Sequence, residues 1–245
     1  MRTYMSFLRA VHRHARPRTY LEIGIYEGES LHLAGPSTRV IGIDPQPRCE
    51  PPYPSNWHIY AETSDSFFAR SDLAEMVGAV DIAFVDGLHH FEQTLRDVMN
   101  VERLVSRRGV VLIHDVVPPA PSWAGRAPGP ADGWAGDVWK VLPILREHRP
   151  DLRIAVVDAA PTGLAVVTGL DPSSTRLDAV YDEAIARWMD EPYRAWPDPP
   201  LQSWSEAADR FPVFQRRHLR DELAHNRRRA RYLARRLMSA RPGAR

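Results

Sequence analysis

Short apolar runs constrain the fold of this chain more than any other feature of its sequence. They recur between Tyr20 and Leu170, are rich in valine and isoleucine, and lack the polar alternation of strands that have one face in water. The runs cover residues 20–25, 40–43, 57–60, 80–85, 110–113, 152–157 and 163–167. Helical patterns such as residues 91–105 lie between them. Right-handed crossovers then predict an α/β fold with a doubly wound, mostly parallel, Rossmann-like sheet.

The last two runs are joined by residues 158–162, a connection of hairpin length, which predicts an antiparallel pair of strands at one edge of the sheet. After Asp171 the sequence is polar and helical in pattern. We therefore expect residues 1–170 to form the sheet domain and residues 171–245 to form a C-terminal helical extension. Residues 117–136 are rich in proline, glycine and alanine, and we expect them to cover a substrate, with disorder as the alternative.

Composition narrows the classes of protein that fit. No run approaches the roughly 18 apolar residues of a membrane span, and the N-terminal segment has no apolar core of a secretory signal. Cys49 is the single cysteine, which excludes a disulfide framework and a cysteine-based metal site. We expect a cytoplasmic protein with no membrane association. A transit peptide stays open as an alternative, because residues 2–18 are basic and contain no acid.

Basic charge is concentrated near the C-terminus, in residues 216–245, although the net charge of the whole chain is only +1. Three consecutive arginines at 227–229 could bind phosphates. Leucines recur among them with a broken helical spacing, which favours an arginine-faced helix that docks on the body or on a second subunit. We therefore expect no nucleic-acid partner, and consider a homodimer through the C-terminal helices.

The first apolar run ends in a glycine turn that carries Gly24 and Gly28 and leads through Ser30 into a helix. Glycines let the backbone approach a ligand, and a helix start offers free N–H groups. Asp44 closes the next run, twenty positions after Gly24, where an acid would bind ribose hydroxyls. The glycine spacing differs from the dinucleotide pattern, and Glu22 would repel a pyrophosphate but suits a cationic amino acid. A nicotinamide-dependent oxidoreductase is therefore the less favoured alternative.

This order of residues resembles that of class I S-adenosylmethionine-dependent methyltransferases, whose first motif is an acidic residue, one spacer and a glycine. The resemblance covers residues 20 to about 170. It implies that Glu22 and Gly24 lie near the methionine part of S-adenosylmethionine and that Asp44 holds the ribose. Ser64 and Asp65, which follow the third run, would contact the adenine. Gly28 and Ser30 complete the predicted cofactor site.

Carboxylates and imidazoles follow the fourth and fifth runs. Asp86, His89 and His90 come after the fourth, and His114 and Asp115 come after the fifth. Both strand ends face one crevice in an open parallel sheet, so we expect these side chains to meet beside the cofactor. Such a group suits a divalent metal with a nearby proton acceptor. Two alternatives stay open: Asp86 caps the following helix, and His90 packs away from the site.

The same residues resemble the site of metal-dependent O-methyltransferases of the catechol and macrolide-sugar type. The resemblance implies that Asp86, His114 and Asp115 bind a divalent metal, Mg²⁺ or Mn²⁺, and that His89 is the base; His90 is a second catalytic candidate. His114 departs from the pattern, because those enzymes usually carry an oxygen ligand there. Either the metal is softer than magnesium or His114 is not a ligand.

These implications predict an enzyme that methylates a hydroxyl of a small-molecule substrate, of sugar or natural-product type, with metal assistance. The alternative on the same fold is metal-free methylation of nitrogen or oxygen, with His89 acting alone.

Overall fold

The structure is a computed structural model, and it describes residues 3–129 and 133–211. Strands occupy β1 Thr19–Ile23, β2 Arg39–Ile43, β3 Trp57–Tyr60, β4 Val80–Val85, β5 Val105–His114, β6 Arg153–Val157 and β7 Leu164–Thr168. Helices occupy α1 Tyr4–Ala15, α2 Ser64–Phe68, α3 Leu73–Val77, α4 Phe91–Glu102, α5 Val141–His148, α6 Tyr181–Trp188 and α7 Trp204–Arg210. Short 3₁₀ turns lie at Ser30–Leu33, Pro121–Trp123 and Val138–Lys140.

The strands form one sheet in the order β3-β2-β1-β4-β5-β7-β6. β1 pairs in parallel with both β2 and β4, so the strand order reverses at β1. β7 runs antiparallel to β5 and to β6. The predicted doubly wound sheet, mostly parallel with an antiparallel pair at one edge, is confirmed. Such a reversal opens a crevice at the carboxyl ends of the central strands.

Hydrophobic side chains cover both faces of the sheet, which explains the unbroken apolar runs. Side chains alternate along β1: Leu21 and Ile23 join one buried core cluster, whereas Tyr20 joins the other together with Phe7 of α1. Burial of one large apolar side chain contributes about 1.5–3 kcal/mol, so these two layers hold the strand ends rigidly.

Three local expectations need correction. The glycine turn leads only into the 3₁₀ turn Ser30–Leu33, not into an α-helix, and the chain reaches Pro36 three residues later. α4 ends at Glu102 rather than at residue 105. Val105 instead begins β5 and pairs with Val80, and a register shift separates this pair from the rest of the β4–β5 ladder.

The C-terminal region is described as far as residue 211 and contains α6 and α7. Trp204 of α7 packs on α1, with its ring centroid 5.8 Å from Phe7 and 4.6 Å from His14. The basic residues 216–245, with the docking and dimer contacts expected of them, lie outside the described residues. The division at residue 170 therefore stays a prediction. Among the described helices, none has the length and apolar character needed to cross a membrane.

Candidate functional site

A cavity of about 1030 Å³ lies at the carboxyl edge of the sheet. Its size suits a ligand of nucleoside dimensions, because ligand pockets usually measure about 300–1,000 Å³. The polar side chains in its wall belong to Asp44, Thr63, Ser64, Asp65, Asp86, His89, Gln93, Asp97, His114, Asp115 and Thr162. Register explains the convergence: Ile23 pairs with Ile43 and with Val85, so the residues that follow these three positions meet at one edge.

Gly24 lies where β1 and β4 end side by side, and it lines the cavity. Its φ is +83°, and a Cβ there would lie 2.0 Å from the carbonyl oxygen of Asp86. Only glycine tolerates both the dihedral angle and the contact. The glycine is therefore required by the approach of two strand ends, in addition to any approach of a ligand.

Asp44 lines the cavity just after β2. Its Oδ2 accepts hydrogen bonds from the backbone N–H groups of Ile25, at 3.0 Å, and Tyr26, at 2.9 Å. Its Oδ1 accepts one from the backbone of Gln46 at 2.7 Å. The carboxylate thus holds the turn after β1 in place while it faces the cavity, as a ribose ligand must.

Ser64 and Asp65, the predicted adenine contacts, open α2 and line the cavity. The hydroxyl of Thr63 caps this helix by accepting a hydrogen bond from Ser66. The carboxylate of Asp65 pairs with Arg96 at 2.7 Å. Both predicted residues therefore face the cavity from the strand end expected of them.

Three other predicted cofactor residues, Glu22, Gly28 and Ser30, are not among those that line the cavity. Glu22 is buried and accepts hydrogen bonds from the Tyr20 hydroxyl, at 2.7 Å, and from the Ser30 hydroxyl. Burial raises the pKa of Glu22 to about 8, although both hydrogen bonds act in the opposite direction. Gly28 has a φ of +75° and packs against Cys49. These residues support the turn, and their direct contact with a cofactor stays a prediction.

Asp86, His114 and Asp115 form a compact cluster at the ends of β4 and β5. One potential ligand atom from each lies within 4.8 Å of the other two. Nδ1 of His114 is 3.0 Å from Oδ1 of Asp86 and 3.5 Å from Oδ2 of Asp115. Asp115 adopts a φ of +62°. Such a backbone costs about 1–3 kcal/mol outside glycine, and strain of this kind concentrates at functional sites.

The charges in this cluster stabilise one another. Burial acts to lower the pKa of His114, but the carboxylates of Asp86 and Asp115 outweigh it and raise that pKa to about 10. Burial acts to raise the pKa of Asp115, and His114 and His89 reverse the effect, so this pKa lies below its ordinary value. Asp115 is therefore an ionised carboxylate that faces positive charge.

His89 lies against the same cluster. Its Nε2 is 3.0 Å from Oδ2 of Asp115 and 3.8 Å from Oδ1 of Asp86. Its Nδ1 is 3.1 Å from the backbone carbonyl of Trp134. Because a carbonyl only accepts hydrogen bonds, this contact assigns the hydrogen to Nδ1. The Asp115 carboxylate also only accepts, so its contact places a hydrogen on Nε2 as well, and Nε2 is the ring atom that exchanges a proton in the cavity.

His90, the second catalytic candidate, occupies a different environment. It is the N-cap residue of α4, and its Nε2 lies 3.0 Å from the backbone carbonyl of Arg126. It is not among the residues that line the cavity. The structure thus places this ring against the loop that follows β5, apart from the cluster that His89 joins.

The described part of loop 117–136 covers the cavity, and Trp123 and Trp134 line it. The Trp134 ring centroid is 5.0 Å from that of His89. Arg126 anchors the loop with hydrogen bonds of 2.9 and 2.5 Å to Glu92, and one of 2.9 Å to Asp137. The loop therefore lines the cavity and contacts the candidate base.

Two wall residues, Gln93 and Asp97, were not predicted from the sequence. They lie one turn apart in α4, and Asp97 is only 1% exposed. An acid on the apolar face of a helical pattern is the signal that could have revealed it, because unpaired carboxylates are seldom fully buried.

Comparisons with known proteins agree with this geometry. Residues 3–116 match a family model described as a methyltransferase domain. The cofactor-bound structure of Rv0187 from MTB shares 18% identity, with 68% of this chain and 79% of that chain covered and a TM-score of 0.51. The O-methyltransferase from Bacillus cereus in complex with SAH shares 13% identity, with 66% and 79% covered and a TM-score of 0.50. No curated protein sequence matches this one.

Proposed function

We propose that this chain is a class I S-adenosylmethionine-dependent methyltransferase that methylates a hydroxyl oxygen of a small molecule, with His89 as general base. One observation carries the proposal. His89, Asp86 and Asp115 converge on the wall of the cavity that Gly24 and Asp44 also line. A proton acceptor and two carboxylates thus share a cavity with the residues suited to the cofactor.

The cofactor supplies a methyl group on a sulfonium sulfur, which an oxygen must approach in line with the S–CH₃ bond. This requirement is chiefly one of positioning. A hydroxyl is a weak nucleophile at neutral pH, so removal of its proton assists the transfer. Nε2 of His89 faces the cavity for this purpose, and the hydrogen bond from Nδ1 to the Trp134 carbonyl keeps the ring in the required tautomer. Asp115, held ionised, stabilises the imidazolium that results.

Asp86, His114 and Asp115 would hold the divalent metal. Once His114 has released its proton, two carboxylates and one imidazole fit an ion that accepts both oxygen and nitrogen ligands. Mn²⁺ suits this set better than Mg²⁺, which prefers oxygen. A divalent ion bound there lowers the pKa of a hydroxyl that it coordinates. The strained backbone of Asp115 directs its carboxylate toward the other two ligands.

The described side chains of loop 117–136 favour a small methyl acceptor of sugar or natural-product type. Trp123 and Trp134 provide apolar walls beside the cluster, and such walls pack against the C–H faces of a sugar or against an aromatic ring.

The test is methyl transfer to a panel of vicinal diols, sugars and phenols, measured with added Mn²⁺ or Mg²⁺ and with a chelator. We expect activity that needs the metal and is lost in Asp86→Asn. Exposed Asp72, outside the cavity, provides the matched control as Asp72→Asn. Methyl transfer that survives both the chelator and Asp86→Asn would remove the metal from the mechanism. Failure of the wild-type protein to bind S-adenosylmethionine would remove the function itself.

A second candidate is metal-free methylation of oxygen or nitrogen by the same residues. Hydrogen-bond geometry favours it, because the cluster atoms already pair with one another: His114 Nδ1 lies 3.0 Å from Asp86, and His89 Nε2 lies 3.0 Å from Asp115. The chelator experiment separates the two candidates. Full activity of the wild type in the presence of the chelator, together with loss of activity in His89→Gln, would favour the metal-free reaction.

A further inference from the structure

A second group of polar side chains lies in the cavity wall where α2 contacts α4. One amide connects its members: Nε2 of Gln93 is 3.2 Å from Oγ of Ser64, 3.1 Å from Oδ1 of Asp65 and 3.1 Å from Oδ1 of Asp97. All four residues line the cavity. The group is therefore a built polar surface that faces a ligand space.

Asp97 is the unusual member. It is 1% exposed, and no salt bridge to it occurs among the residues that the structure describes. Burial raises the pKa of Asp97 to about 7; hydrogen bonds from Ser64 and Gln93 oppose the effect, Asp65 of α2 adds to it, and Arg96 of α4 opposes it. At and below neutral pH its side chain is to a large extent a carboxylic acid.

A carboxylic acid presents an O–H donor next to a carbonyl acceptor. The edge of adenine presents the complementary pair, a 6-amino donor beside a ring-nitrogen acceptor. An ionised carboxylate has only acceptors and would face the lone pair of that ring nitrogen. The protonated form of a buried acid is thus matched to adenine, and the ionised form is not.

The position of the group agrees with this chemistry. The reacting methyl must lie near Asp86 and Asp115, so the base of the cofactor occupies another part of the cavity. Asp44, predicted to hold the ribose, ends β2, and β2 pairs with β3, the strand that leads into α2. A nucleoside held by Asp44 can therefore place its base against the α2–α4 contact, which lines the same cavity.

We propose that Asp97, with Gln93, recognises the adenine of S-adenosylmethionine through its 6-amino edge and so determines the specificity for the base. The inference rests on the proposed function, because it requires the cofactor in this cavity. Asp97 contributes the donor and acceptor pair. Gln93 orients it and connects it to Ser64 and Asp65.

Calorimetric binding of S-adenosylhomocysteine between pH 6 and pH 8.5 tests the proposal without any turnover. Wild-type affinity should fall more than about tenfold over this range as the acid ionises. Asp97→Asn keeps one donor and one acceptor but does not titrate. Over the same pH range, its affinity should change by less than about twofold more than the affinity of the control variant changes. Asp72→Asn is that control, because Asp72 is exposed and lies outside the cavity.

Other titrating groups act equally in all three proteins, so the difference between the profiles is decisive. Parallel pH profiles for wild type and Asp97→Asn would overturn this inference alone. No binding by the wild type at any pH would overturn the proposed function, and this inference with it.

A second measurement needs no variant. The analogue of S-adenosylhomocysteine with an unsubstituted purine base lacks the 6-amino donor but keeps the ring-nitrogen acceptor. At pH 6 the wild type should prefer the adenine compound by more than about tenfold, because the carbonyl oxygen of the buried acid loses its partner in the purine compound. Equal affinities at pH 6 would contradict the assignment.

Discussion

Nε2 of His89 lies 3.0 Å from Oδ2 of Asp115, although the two residues follow different strands. The contact exists because β4 and β5 are parallel neighbours, with Val85 opposite Ile113, so that their ends open into one cavity. It joins the candidate base to a carboxylate of the candidate metal cluster.

His89→Gln should therefore lower kcat by about 10²–10⁴-fold, the usual contribution of a general base. Affinity for S-adenosylhomocysteine should change little, since the residue faces the acceptor side of the cavity. His90→Gln is the matched control: it replaces the adjacent histidine, whose Nε2 contacts the Arg126 carbonyl instead of the cluster. Steady-state rates and calorimetry check both variants. Equal loss of activity in the two would show that the ring of His89 has no special role.

Gly24→Ala should destabilise the chain much more than Gly28→Ala. Both glycines have positive φ, which costs an alanine about 1–2 kcal/mol. A Cβ at position 24 would also lie 2.0 Å from the backbone oxygen of Asp86, whereas one at position 28 meets the side chain of Cys49 at 3.2 Å. We expect about 1–2 kcal/mol for Gly28→Ala and at least about 3 kcal/mol for Gly24→Ala. Urea unfolding measures both, and similar losses would be inconsistent with the close strand ends.

Glu22 should make the stability of the chain depend on pH. Its pKa is about 8 in the folded chain and 4.5 in a solvated one, so the folded state holds a proton that the unfolded state releases. This contribution is complete below pH 4.5 and is lost as the pH rises to about 8. Between pH 5 and pH 8, the free energy of unfolding of the wild type should fall by about 2–4 kcal/mol more than that of Glu22→Gln. Parallel curves from urea unfolding would refute the assignment.

Arg126→Met should loosen the loop over the cavity, because Arg126 bonds both Glu92 and Asp137. We expect kcat/KM for the acceptor to fall by about tenfold or more, since small displacements near the reacting atoms are costly. Affinity for S-adenosylhomocysteine should be retained. Arg103→Met is the control, because Arg103 forms an exposed ion pair with Asp178. An unchanged kcat/KM in Arg126→Met would mean that the loop does not organise the acceptor site.

The sequence predicted the site residues best where the end of a strand determines the position of the residue that follows it. Asp44, Asp86 and Asp115 follow apolar runs directly, so their meeting follows from the parallel sheet alone. Glu22 lies one residue before the end of β1. Because side chains alternate along a strand, it shares the face of Tyr20, opposite to Leu21 and Ile23, and lies beneath the turn. The acidic motif was thus read correctly as a signature, but it did not reveal which residues line the cavity.

Gln93 and Asp97 were missed for a different reason. Their role depends on the packing of α4 against α2, and the bond from Gln93 to Ser64 spans 29 positions in the sequence. Periodicity places residues on a helix face but does not specify which element that face meets. The loop tryptophans were recognised by composition, whereas the contact of Trp134 with His89 depends on the path of the loop and on the bonds from Arg126 to Glu92 and Asp137.

The placement of β7 has a consequence for synthesis of the chain. Among the strands of residues 3–211, β7 is the last to emerge from the ribosome, yet it lies between β5 and β6 and pairs its own residues with Val111, Leu112 and Ile113. Until it is made, β5 presents a long apolar edge that other chains could join. Truncation before residue 164 should therefore give aggregates, even though the segment that matches the methyltransferase domain is complete by residue 116.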